Sequence, residues 1–150
     1  MPEAQARVIL AFDFGLRRIG VACGDTVSGT AAPCTTVAVT ASGIDWAAIE
    51  RVLREYDPAA LIVGAPRTAD GAAGALSAAA DAFAVCLARL AHRPVHRADE
   101  YASSIDASGQ LKQQRQSGQR RRRVRHADID SAAAAIILER WLRGEGRIDD

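Results

Sequence analysis

A single mixed α/β domain, in which an antiparallel meander of strands feeds alternating strands and helices, is the fold this sequence predicts. Three observations predict it. An apolar run over residues 7–14 (RVILAFDF) meets the turn signal Gly15-Leu16-Arg17-Arg18 and then a second apolar run over residues 19–24. A connection that short makes two strands pair antiparallel. After residue 45 the apolar spacing changes from strand-like to helical, and it then alternates between the two. Finally, 150 residues with 49% hydrophobic and 25% charged side chains suit one compact core and leave little room for a second.

Each element has its own justification. The first run is apolar almost throughout, as a strand buried on both faces should be. The second is softened by Gly20 and Gly24. Residues 30–39 carry Thr35, Thr36, Val37 and Val39, β-branched residues that suit a third strand, and Pro33 directs it toward a sheet edge. Over residues 45–56, Trp46, Ile49, Val52, Leu53 and Tyr56 recur at helical steps until Asp57-Pro58 ends the helix. Residues 61–64 (LIVG) form a short buried strand, followed by the loop Ala65-Pro66-Arg67-Thr68-Ala69-Asp70-Gly71. Leu76, Ala80, Phe83, Leu87 and Leu90 mark a helix over residues 76–91, and residues 94–97 a brief strand that runs into Asp99-Glu100. Helices are expected over residues 103–112 and 128–142. The order β-β-β-α-β-α-β-α-α implies a five-stranded mixed sheet, an antiparallel three-stranded meander plus two parallel strands, flanked by helices. The core spans about residues 8–142, with short tails.

The formal net charge of +1 conceals an uneven distribution. Seven of the 19 basic residues fall between Lys112 and Arg125, and no acidic residue lies between Asp106 and Asp128. The rest of the chain holds 12 basic against 18 acidic residues. Such a block is a candidate grip on a polyanion, and equally a solvated loop. Cys23, Cys34 and Cys86 show no CxxC pairing, so a zinc site or disulfide framework is not indicated and buried structural thiols are expected. No apolar run approaches the roughly 18 residues that cross a bilayer, and the N-terminus has no signal-peptide pattern. A cytoplasmic protein with no membrane partner is expected.

Acidic residues stand where acid is costly unless it is used. Asp13 ends the most apolar strand; Glu100, beside Asp99, follows the last one; Asp130 opens an apolar helix, two residues after Asp128. In a sheet of this order the carboxyl ends of the first and last strands open into one crevice, where ligands bind in α/β sheets. Converging carboxylates call for a cation, and hard oxygen donors favour Mg²⁺ or Mn²⁺ over zinc. Two such ions about 4 Å apart activate water and stabilise the leaving oxygen of a phosphodiester. Arg120, Arg121, Arg122, Arg123 and Arg125 would then contact a nucleic-acid backbone. Other roles fit these residues as well: Asp13 ahead of Gly15 as a turn former, and Asp128 and Asp130 as favourable charges at a helix N-terminus.

Four blocks carry a resemblance to a known family. Ala11-Phe12-Asp13-Phe14-Gly15 with Ile19-Gly20-Val21-Ala22 resembles the opening motif of the YqgF family, also called RuvX, of Holliday junction resolvase-like proteins. Ile62-Val63-Gly64-Ala65-Pro66 with Asp70-Gly71 resembles its IVGLP…DG loop, and Asp99-Glu100 its DER motif. Asp130-Ser131-Ala132-Ala133 with Ile136-Ile137-Leu138-Glu139 resembles its VDSxAAxxIL helix. The resemblance implies an RNase H-like fold and a metal-dependent nuclease that processes the 5′ end of precursor 16S rRNA or cleaves four-way DNA junctions. It also implies a catalytic and metal-binding set of Asp13, Glu100 and Asp130, with Gly15 and Ser104 in supporting positions.

Three positions depart from the family pattern. Tyr101 stands where the DER motif has Arg, Ser104 where Thr is common, and Asp128 where a Lys often precedes the VDS motif. Asp128 is thereby a further candidate metal ligand, and the Arg120–Arg125 run a candidate replacement for the missing positive charge. Precursor rRNA is the favoured substrate, acted on by a monomer or weak dimer. The alternatives are a junction resolvase, which needs a two-fold dimer to cut two strands symmetrically, and a non-catalytic nucleic-acid-binding factor.

Overall fold

The structure, a computed structural model, describes residues 7–65, 75–99 and 126–144. Strands β1 (Val8–Phe14) and β2 (Arg18–Asp25) make the expected hairpin, with Val8 opposite Asp25 and Phe14 opposite Ile19. Strand β3 (Ala31–Thr40) adds antiparallel to β2, with an irregularity between Val21 and Ala22. A two-residue strand β4 (Gly43–Ile44) folds back on the end of β3. On the other side, β5 (Ala60–Ala65) pairs parallel with β1, and β6 (Val95–Asp99) pairs parallel with β5. The sheet order is β4-β3-β2-β1-β5-β6, so β1 lies inside the sheet, between its antiparallel and parallel halves. Six strands replace the expected five, because a two-residue strand is too short to carry an alternating pattern.

Helix α1 (Trp46–Tyr56) begins at Asp45, whose carboxylate accepts from the Ala48 N–H at 3.2 Å. It ends at Asp57, in the left-handed region (φ 43°) that Asp tolerates better than most residues. Helix α2 is Ala75–Ala91 and helix α3 is His126–Leu142. Helix α3 includes His126 and Ala127, two residues ahead of the expected start, because nothing in that pair opposes helix. Asp130 is therefore the fifth helical residue and lies beyond the first turn, where a carboxylate gains most from the helix dipole. The loop over residues 66–71 and the helix expected over 103–112 lie outside the described residues.

Strand alternation divides the core between the two faces of the sheet. Leu10, Phe12 and Phe14 of β1 point to one face, where they pack with Ile49 and Val52 of α1 and Phe83 and Leu87 of α2. The aromatic rings lock together: Phe83 meets Phe12 at 5.8 Å and Phe14 at 5.2 Å between centroids, and stacks on Trp46 at 5.5 Å. Each such pair adds about 0.5–1.5 kcal/mol beyond simple burial. Ile9 and Ala11 point to the other face and pack with Ile62, Ala98, Ile137 and Leu138, while Ala22 meets Ala134 and Ala135. Cys23 and Cys34 are half-buried, but Cys86 is exposed, contrary to the expectation of buried thiols. It sits on α2 between the inward-facing Phe83 and Leu87 and turns away from the sheet. Among the described residues, no helix is long and apolar enough to cross a membrane.

Candidate active site

Asp13 continues the Ile9, Ala11 series and so belongs to the α3 face. Its carboxylate stands on a strand clamped from the opposite face, because its neighbours Phe12 and Phe14 are both held by Phe83. The residue is only 8% exposed. Across the sheet its row reads Thr36, Gly20, Asp13, Gly64, Ala98, from β3 to β6. Both immediate neighbours of the carboxylate are thus glycine.

Gly20 explains how Asp130 reaches this place. A Cβ built there would collide with the Asp130 carbonyl and the Ser131 nitrogen, so the backbone of α3 lies directly against β2. Asp13 and Asp130, 117 positions apart in the chain, are brought to one patch of the sheet through the glycine between them. The helix is held there along its length. The Ala31 N–H donates to the Glu139 carboxylate at 3.2 Å, and the His96 ring of β6 meets Trp141 at 5.2 Å. Small residues permit the close approach, with Ala133 and Ala134 fully buried and Ser131 nearly so.

Arg18 completes the described part of the site. Its Nε donates to Asp130 Oδ2 at 2.6 Å, a charge-assisted bond that spans the gap between β2 and α3. The turn that precedes it is tight: a Cβ on Gly15 would stand 2.6 Å from the Arg18 carbonyl, which accounts for glycine there. The sequence offers one signal for Arg18. Counting back by twos from Ala22 and Gly20 places it on the α3 face, above Asp13's own strand pair.

Two of the expected ligands, Asp13 and Asp130, are therefore brought together. Glu100, Ser104 and the run Arg120–Arg123 with Arg125 lie outside the described residues, and Asp128 lies in the first turn of α3. Among the described residues no three His, Cys, Asp or Glu side chains gather as a metal-binding group. The donor chemistry nonetheless fits a hard cation: one carboxylate near the carboxyl end of a central strand with glycine on either side, and a second on the helix that lies against one of those glycines.

A six-stranded mixed sheet whose inner strand carries a buried acid, with a C-terminal helix laid across the meander, defines an RNase H-like fold. Solved structures share it. RuvC of T. thermophilus in complex with a Holliday junction substrate matches 94% of this chain and 99% of its own, with a TM-score of 0.57 at 15% identity. The yeast mitochondrial Holliday junction resolvase Ydc2 matches 90% of this chain and 77% of its own, with a TM-score of 0.51 at 12% identity.

The chain belongs to the RuvX family, whose model, described as Holliday junction resolvase, matches residues 7–144. A relative in Xanthomonas campestris pv. campestris (strain B100), named as a candidate pre-16S rRNA nuclease, is 42% identical over 95% of this chain and 94% of its own. One of the same name in Legionella pneumophila (strain Lens) is 40% identical over 91% of this chain and 95% of its own.

Proposed function

We propose that this protein is a divalent-metal-dependent nuclease that hydrolyses phosphodiester bonds of structured RNA, with precursor 16S rRNA as its substrate. The observation that carries this reading is the meeting of Asp13 and Asp130 at Gly20, on a strand locked from behind by aromatic rings. The naming of the relatives supports the substrate.

Asp13 and Asp130 would hold Mg²⁺ or Mn²⁺, with Glu100 as the third carboxylate and Asp128 as a further candidate. When bound, such ions activate water and stabilise the leaving oxygen of a phosphodiester. The protein supplies the rest. Asp13 on its clamped strand fixes one carboxylate against the sheet, and α3 sets Asp130 beside it. Arg120–Arg123 and Arg125 offer guanidinium groups to the RNA backbone, which positions the strand without reading its sequence.

The test is Asp13→Asn, which keeps the side-chain volume and removes the charge. Hydrolysis of a labelled precursor rRNA fragment with Mn²⁺ should fall at least about 100-fold, since loss of even an outer-shell partner costs 10–100-fold. Cleavage equal to that of the unmodified protein would sink the assignment.

The family model's description favours a second substrate, the four-way DNA junction. Symmetric cutting of two strands would need a two-fold dimer. A monomer in solution that cleaves RNA and leaves junctions intact decides for the first reading.

A further inference from the structure

The ion pair between Arg18 and Asp130 places a fixed positive charge on a carboxylate that the proposed function needs for a metal ion. The two side chains are 38% and 25% exposed, so the pair sits at the rim of the site, open to exchange. Arg18 is the first residue of β2 and shares the α3 face with Gly20 and hence with Asp13. Its backbone is fixed by the Gly15 turn and its partial exposure leaves the side chain room to rotate. A divalent ion on the Asp130 carboxylate would repel a guanidinium on the same group. An arginine displaced there would stand beside the metal, above the carboxyl end of β1, with its planar donor fork intact. That fork matches the paired oxygens of a phosphodiester.

We propose that Arg18 is a substrate-phosphate ligand of this active site, which exchanges between Asp130 and the nucleic-acid backbone and is driven to the second partner when a divalent ion takes that carboxylate. The inference rests on the reading of Asp130 as a metal ligand. It makes the metal a promoter of nucleic-acid binding as well as of cleavage, through one side chain with two partners.

Calorimetric titration of Mn²⁺ into the full chain, without nucleic acid, separates the possibilities. Arg18→Gln should bind Mn²⁺ about two- to fivefold more tightly than the unmodified protein, the range expected when a partly exposed ion pair no longer competes. Arg18→Ala should do the same. A stem-loop RNA titrated in Ca²⁺ gives the second measurement. The unmodified protein should gain affinity when Ca²⁺ is added, whereas Arg18→Gln should lose that gain and show a salt dependence shallower by about one phosphate contact.

Unmodified protein that takes up Mn²⁺, with both variants binding it no more tightly, overturns the role of Arg18 and leaves the metal site standing. Tighter Mn²⁺ binding with unchanged RNA affinity and salt slope also overturns it, because Arg18 would then be only a counter-ion. Unmodified protein that takes up no Mn²⁺ overturns the metal reading and this inference together.

Discussion

Gly20 has no room for one more carbon. Its position opposite Asp13 is occupied from above by the backbone of Asp130 and Ser131, and backbone cannot rotate out of the way as a side chain can. Gly20→Ala should therefore lower stability by about 1–3 kcal/mol, the usual cost of overpacking, read as a shift of the urea midpoint without a change of slope. Nuclease activity should fall with it even under conditions where the variant is fully folded, because relief of the clash moves Asp130 away from Asp13. A variant that loses stability and keeps full activity would show that the spacing of the two carboxylates tolerates movement. The residue scale is also where the sequence said least. Asp13 stands out by its setting in an apolar strand, but nothing local links Arg18 to Asp130, 112 positions on. Pairing at that separation is written in the three-dimensional arrangement, and parity along β2 only narrows the choice of face.

At the scale of elements, α3 is the part on which the site depends. It reaches β2 through small side chains, with Ala134 fully buried against Ala22. Ala134→Leu should push the helix outward, cost about 1–3 kcal/mol of stability, and weaken Mn²⁺ binding measured by calorimetry, because Asp130 rides on the same helix. Unchanged metal affinity in a destabilised variant would mean that Asp130 does not ligate the ion.

Most elements could be read from the chain because each carried a local physical signature. Gly15 made the β1–β2 turn, the helical recurrence of Trp46, Ile49 and Val52 with Asp45 ahead of it made α1, and Asp57-Pro58 stopped it. Two features had no such signature. Gly43 and Ile44 are too few to alternate, and His126-Ala127 carry no apolar periodicity that would extend α3 ahead of Asp128. That second difference shifts the meaning of Asp130: two residues deeper in the helix, it gains less from the dipole, and a purely local reason for an acid there weakens.

Over the whole molecule, the near-neutral net charge of +1 divides between a basic segment and an otherwise acidic chain. If the segment grips RNA, replacing Arg120–Arg123 with Gln should reduce the slope of log affinity against log salt by about three, at roughly 0.7 per phosphate contact on single strands. Metal binding in the same variant should be unchanged. An unaltered slope would remove the segment from the interface while leaving the carboxylate site intact.

The two sides of the sheet also differ in what their packing allows over evolutionary time. Around Phe12, Phe83 and Leu87 the core is built from large side chains of adjustable shape, which can trade volume with one another as the sequence drifts. Where α3 crosses Gly20 and Ala22 the contact is made by alanine and bare backbone, which have nothing to trade, although Ile9, Ile62, Ile137 and Leu138 fill the same face farther along. Divergence is thereby turned away from the patch that carries the acids, which can change only by changing its geometry.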